Sequence, residues 1–531
     1  MSVDTSKPPE RHDPVNLFAE RILTKYFTDI SVIIPPDSLV TSSEAAPPDA
    51  ASLPPLIGVP PQAPNVGIIG GGIGGLYAAL PLQEQGVPYE ILEASDHLGG
   101  HLLTKRMDAG VMRFPETTIM EPLFRLFRKI NLPLGQYQFQ DKHGNSTLYY
   151  NGLNKRRVGA PDTASDWEIE SVPSPWNEIG WKANVNNIVK PFAKKLIEDF
   201  NKPIGEDGCD DGWTLMMKYD KYSMKAYMAG NQSDTDPDNL DRLRLMPYPM
   251  DVVNWCETFD KSSSWYDRAL SETVLEDLAF KWDGKPFDWK YIIGGSSKLA
   301  TTLDEYMAEH PGYVHPFFNS RVTGISCVSV SDIPGEGPPG INSEDTVVEV
   351  QLTNSRSRYY SHVITTTTLP CLRTMDLRYA RLDYLQKAVL RMLQYGPSTK
   401  IGLKPSALTE LEDQWEVADA HSWSNDLTTM GAFAFFGPGD FSKLYPALTC
   451  PASGGRLHFS GEVVSVRHAW VAGALEASAR AVYAILRASY PDKADKFKRE
   501  YGIAKCWTSE SLYEQLVLGF KKSIPEYPPS Q

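Results

Sequence analysis

Residues 65–75 read NVGIIGGGIGG, and residues 89–93 read YEILE. These two stretches decide the fold. Asn65–Ile69 is a short apolar run of strand type, Gly70–Gly75 is a glycine loop, and Leu76–Gln85 has the composition of a helix that Gly86 ends. Tyr89–Leu92 is a second strand, closed by Glu93. Strand, glycine loop, helix and strand in that order open a βαβ unit. Within the loop, Gly70, Gly72 and Gly75 take the spacing GxGxxG, with Ile73 and Gly74 between the last two. In that spacing the first glycine makes the tight turn, the second lets the backbone approach a pyrophosphate, and the third packs helix on strand. The positive end of the helix then faces the phosphates. Glu93 stands where a carboxylate accepts hydrogen bonds from ribose hydroxyls. A dinucleotide is the expected ligand.

The rest of the chain sets bounds. It has 531 residues, room for two or three packed units, and 42% apolar residues, ordinary for a globular protein. Its 66 acidic and 52 basic side chains give a net charge of −14, so neither nucleic acid nor an anionic membrane surface is an expected partner. The six cysteines are scattered without a CxxC pair, which fits buried thiols in a reducing compartment and points to no metal site. The N-terminus lacks the apolar core of a secretion signal, no run of about 18 apolar residues occurs, and cytosolic is the default location. Val15, Phe18, Ile22, Tyr26 and Phe27 recur at helical spacing, predicting an amphipathic helix packed on the body. Residues 34–64 read as a Pro/Ser/Ala linker. The extension at 1–64 is a candidate for contacts between copies in a homodimer.

Further signals place strands at 313–330 and 346–352 around a Pro/Gly turn near Pro334–Gly340, at Tyr359–Thr366 and at 456–461. They place helices through 165–285 and at Ala469–Ala488.

Just after Glu93 come Ala94 and then the pair Gly99-Gly100, followed by His101. EILEASDHLGGH with the upstream loop resembles the flavin amine oxidase superfamily, whose members usually carry Arg where His101 stands. GVMRFP, residues 110–115, resembles the GxMRxP segment of L-amino-acid oxidases. Val314–Ile325 resembles the strand whose valine, here Val322, lies over the adenine side. Ile364–Pro370 resembles the turn that returns the chain to the flavin. YGPSTKIGL, residues 395–403, resembles the strand that carries the family's lysine, here Lys400. FSGE at 459–462 and HAWVAGALE at 468–476 resemble the closing motif, and the likeness is nearest to fungal-type L-amino-acid oxidases.

That resemblance implies an α/β (α+β) fold: an FAD-binding Rossmann-like domain, a mixed-sheet substrate domain and a helical subdomain. The expected division puts the FAD domain at 65–107, 290–380 and 452–490, and the substrate domain at 108–164 and 381–451. The helical subdomain is 165–289 and the tail is 491–531. The implied reaction moves hydride from the α-carbon of an L-amino acid to the flavin. The imino acid is hydrolysed to a 2-oxo acid and ammonia, and O2 becomes H2O2. FAD should be non-covalent, because SGEVVSVRH holds no cysteine. Met112, Glu462 and Val471 are implied cofactor contacts.

Arg113 is expected to grip the substrate carboxylate, since a guanidinium pairs bidentately with one. Lys400 is expected to hold a water near the flavin. Trp470 is an aromatic wall beside the substrate, and Phe433 lines the pocket. Ala469 replaces a family glycine whose carbonyl accepts from the substrate amine. Glu276, in SETVLED, falls where some relatives have a histidine near the substrate entrance, and reads better as a helical surface acid. Between Lys400 and Trp423 the chain is shorter than the resemblance requires, and no tyrosine matches the one that shares the carboxylate with the arginine. Either the pocket is altered or a coding segment is missing. Lost strands would expose edges and apolar surface, which favours the omission.

Overall fold

The computed structural model describes residues 14–33, 66–139, 146–156, 163–202, 206–230, 247–281, 284–333, 346–354, 356–405 and 415–501. The 34–64 linker, the turn near Pro334–Gly340, Cys506 and most of the 491–531 tail lie outside them.

The glycine stretch folds as its pattern requires. Strand β1 is Val66–Ile69, helix α2 is Ile73–Glu84, and strand β2 is Tyr89–Leu92. The helix begins at Ile73, not Leu76, so the turn itself shrinks to Gly70–Gly72. β1 pairs in parallel with β2 on one side and with His362–Thr365 on the other, and Leu457–Phe459 completes a four-stranded parallel sheet. Both β1 and His362–Thr365 are buried at every residue, as a sheet covered on both faces demands. α2 and the helix Val471–Ser489 are also buried along nearly their whole length. The closing segment of the chain therefore returns to the first strand and completes its core.

The expected strand at Tyr359–Thr366 divides in two. Ser357–Tyr360 joins an antiparallel sheet with Thr346–Leu352 and Val322–Ser329, while His362–Thr365 enters the parallel sheet. The strand expected from 313 begins only at Val322; before it, Phe317 makes an isolated bridge to Leu92. The described residues between 165 and 281 are mainly helical, with Trp181–Asn201 and Leu270–Lys281 the longest described helices there.

The N-terminal helix α1, Pro14–Ile33, is present and packs on the body. Val15, Phe18, Ile22 and Leu23 are buried, and Phe18 meets Phe441 edge-on at 5.9 Å. Arg21 pairs with Asp210 at 2.6 Å, and Arg467 donates to Asn16 at 2.9 Å. The side chains of Tyr26 and Phe27 lie outside the described set. No helix among the described residues is long and apolar enough to cross a membrane.

The short stretch after Lys400 closes as a two-stranded antiparallel ribbon, Thr399–Pro405 with Trp415–Ser422. No third described strand joins it. Ile401 is 63% exposed on its outer face, an apolar side chain that a wider sheet would cover.

Candidate active site

The turn out of β1 works by contact distance. Gly70 has φ +105°, a conformation L side chains rarely adopt, and a Cβ on Gly75 would stand 1.9 Å from the Gly70 carbonyl oxygen. Only glycine lets α2 start this close to the strand. Glu93, 8% exposed, accepts from the Gly71 N–H at 2.6 Å and from the Ser95 N–H at 2.8 Å and hydroxyl at 2.7 Å. The Gly99 N–H donates to the Gly71 carbonyl, which lays the second glycine pair beside the first loop.

One cavity of about 780 Å³ is lined by Gly70, Gly72, Ile73, Gly74, Glu93, Ala94, Gly100, His101, Met112, Arg113, Val322, Lys400, Phe433, Glu462, Ala469, Trp470 and Val471. The size suits a small-molecule ligand. Residues more than 400 positions apart thus meet at one site. Of the residues expected to meet cofactor or substrate, Gly75 is outside the lining, because its task is packing behind the loop. Glu276 is also outside. It sits partly buried on the helix Leu270–Lys281 and pairs with Lys261 at 3.1 Å.

At one end stand two cations. Lys400 Nζ lies 3.2 Å from the Gly110 carbonyl and 3.2 Å from Met112 Sδ. Burial lowers its pKa, Asp108 partly offsets that, and Arg113 adds to the lowering. The Arg113 guanidinium sits among three rings, 5.0 Å from Phe139, 5.2 Å from Trp289 and 5.8 Å from Tyr137. Among the described residues no carboxylate pairs with it.

Another part of the wall is a sharp corner. Ala469 has φ +66°, in the left-handed region, which explains why glycine would suit this position. Ala469→Gly is expected to raise the thermal unfolding midpoint, a gain of about 1 kcal/mol from relief of that strain. Trp470 follows as the N-cap of the helix Val471–Ser489, its ring 5.1 Å from Phe280 and 6.4 Å from Trp289. Glu462 staples this corner to the strand Phe433–Phe435, accepting from the Ala434 N–H at 2.7 Å and the Ala469 N–H at 3.1 Å. Burial raises its pKa, against the opposing pull of His468 and the two N–H groups.

Several lining residues were not picked out from the sequence. Trp265 faces Phe433 at 5.5 Å. His421 stands directly across the ribbon from Lys400, 3.4 Å from Asp426 and 4.2 Å from the Trp423 ring. Trp423 donates to the Ala109 carbonyl at 3.0 Å and lies 4.7 Å from His101, whose Nε2 meets the Gly431 carbonyl at 2.8 Å. Burial lowers the His101 pKa, favouring a neutral imidazole where the resemblance has an arginine. Only the strand register reveals His421, and Trp423 follows it two residues on.

The model of flavin-containing amine oxidoreductases matches residues 73–406. The chain belongs to that family. This flavin amine oxidase is 34% identical to L-amino-acid oxidase 4 of Hebeloma cylindrosporum, over 84% of its own length and 86% of the relative's. That alignment runs to 560 positions, more than this chain holds, so it leaves gaps in this chain. An L-amino-acid oxidase of Naja atra is 22% identical over 80% of the chain and 88% of the relative. In fold, a putrescine oxidase variant superposes with a TM-score of 0.52 at 17% identity, covering 81% of this chain and all of that one. The chain is a flavin-dependent oxidoreductase acting on an amine or amino acid.

Proposed function

We propose that this flavin amine oxidase oxidises the α-carbon–nitrogen bond of an L-amino acid with non-covalent FAD. The products are an imino acid, then a 2-oxo acid and ammonia, with O2 reduced to H2O2. The observation that carries this reading is Arg113: a partly buried guanidinium in the cavity wall, gathered among aromatic rings and without a described carboxylate partner. A simple amine offers it nothing, whereas a substrate carboxylate satisfies both its charge and its plane.

The residues fit FAD. A glycine turn whose backbone is open to an anion, a buried carboxylate one strand away and a cavity of about 780 Å³ give the cofactor its cradle. Gly70–Gly74 and the start of α2 would hold the diphosphate, Glu93 the ribose, and Val322 the adenine side. Gly100, His101, Glu462 and Val471 would line the remainder. The bound flavin supplies a hydride acceptor and passes the electrons to O2.

The chain's own groups orient the substrate. Arg113 fixes the carboxylate, Trp470 and Phe433 enclose the side chain, and the Ala469 carbonyl faces the amine. Lys400, its pKa lowered by burial, holds a water and stabilises negative charge beside it. Cys371 also lines the cavity, but burial raises its thiol pKa and so disfavours the nucleophilic thiolate, in keeping with a non-covalent cofactor.

A second reading, an oxidase of amines or of a modified amino acid with an altered pocket, draws on the two-stranded ribbon that carries Lys400. A peroxide assay across L-amino acids, their D-enantiomers and simple amines separates the two. L-amino acids are expected to give peroxide. Turnover of amines alone would contradict the proposal.

A further inference from the structure

Behind the wall made by Ala469 and Trp470 lies a set of buried charges that the reaction scheme leaves unused. His468 immediately precedes the left-handed residue. Its Nδ1 is 3.0 and 2.9 Å from the two carboxylate oxygens of Glu272, on the helix Leu270–Lys281. Both residues are less than one-tenth exposed, and 196 positions of chain separate them. Arg268 Nη1 approaches the same carboxylate at 3.6 Å, with its guanidinium 3.3 Å over the ring of Trp265, itself in the cavity wall.

Aromatic rings pack against His468. Its ring lies 4.1 Å from Phe436 and 5.6 Å from Phe441, and Nε2 has no hydrogen-bond partner. Glu272 is therefore the only group among the described residues that holds the polar edge of this imidazole. Burial alone would lower its pKa, but Glu272, joined by Glu462, more than offsets that, and the pKa is raised.

On the other side of the corner, Glu462 takes the Ala469 N–H. An alanine at φ +66° persists only where its surroundings over-determine it. Two carboxylates from two different parts of the chain grip adjacent residues of this turn, which meets that condition.

We propose that Glu272 is a positioning residue: by holding His468 it fixes the left-handed corner that presents the Ala469 carbonyl and the Trp470 ring to the cavity. The inference rests on the reading of that wall as substrate-facing. It assigns the effect of Glu272 to the shape of the corner rather than to stability alone. A glycine at 469 adopts the left-handed turn unaided, so the corner should then depend less on Glu272.

The test uses four full-length, flavin-loaded proteins: wild type, E272Q, A469G and the double variant. Glutamine keeps the size and a hydrogen bond but removes the charge. Flavin content and thermal midpoint report folding. Titration with benzoate, an aromatic carboxylate, reads the Arg113–Trp470 space through the visible flavin spectrum. E272Q is expected to retain flavin and bind benzoate about tenfold more weakly, and in the A469G background the same change should cost about threefold or less. Wild-type benzoate affinity in E272Q, or an equal loss in both backgrounds, overturns the proposal. If E272Q does not keep flavin, A469G against the double variant decides alone: a threefold loss or less supports the proposal and a tenfold loss overturns it. Anaerobic reduction of the wild-type flavin by L-amino acids is measured alongside. Its failure sinks the proposed function while leaving the benzoate comparison to judge Glu272.

Discussion

Replacing Arg113 by Ala is expected to lower kcat/KM toward an L-amino acid by about two orders of magnitude or more, the scale of a lost charge-assisted hydrogen-bonded pair. The guanidinium is already placed, held among Tyr137, Phe139 and Trp289, so little ordering is left for the substrate to drive. Without it the carboxylate would be desolvated beside Lys400 alone, a point charge that fixes no plane. Arg113→Lys should recover only part of the loss for that reason. The measurement is steady-state kinetics on an amino acid and on its decarboxylated amine. An amine should be turned over equally well by wild type and variant. An unchanged kcat/KM for the amino acid would remove Arg113 from substrate binding and favour the amine reading.

The second large effect is expected at the glycine turn. In Gly75→Ala the new methyl carbon would meet the Gly70 carbonyl oxygen at 1.9 Å, backbone against backbone. No rotamer relieves that contact. The helix must move away from β1, at about 3 kcal/mol or more for overpacking in the most buried layer. The purified variant should contain little or no flavin and unfold at a clearly lower temperature. Gly72→Ala is the control. Its Cβ would find nothing nearer than 3.8 Å, so the fold should survive while the close approach of a diphosphate is blocked. If Gly75→Ala kept full flavin content and stability, the packing around this loop would be wrong.

How much was legible in the sequence follows from the range of the interactions. β1, α2 and β2 were readable to within a few residues because their signals are local: apolar runs, glycine spacing and a closing acid. The helix began three residues early because Ile73, Gly74 and Gly75 read as loop, although their backbone is helical. Tyr359–Thr366 looked like one strand because both halves are β-branched or aromatic; only tertiary pairing splits it between two sheets. The resemblance motifs marked residues that line the cavity because each sits on a short, recognisable segment.

His421, Asp426 and Trp265 were not picked out, since their place depends on strand register and on helices packed from far along the chain. His468 stands within a quoted motif, but nothing in that motif points to its partner Glu272, one helical turn before Glu276. Periodicity alone cannot say which face of a helix carries the pairing acid.

The stretch after Lys400 reads as shorter than the resemblance requires. The described residues there form a ribbon that keeps Lys400 beside Gly110 and Met112 and sets His421 opposite it. The edges that internal strands would cover have no described neighbour.

One measurement tests the central claim most directly: mixing the flavin-loaded protein with single L-amino acids in the absence of O2 and following the visible flavin absorbance. The account expects at least one L-amino acid to bleach the oxidised flavin fully, its D-enantiomer to leave it yellow, and readmitted O2 to restore the colour with peroxide formed. A flavin that stays oxidised with every L-amino acid, or bleaches only with amines, would contradict it.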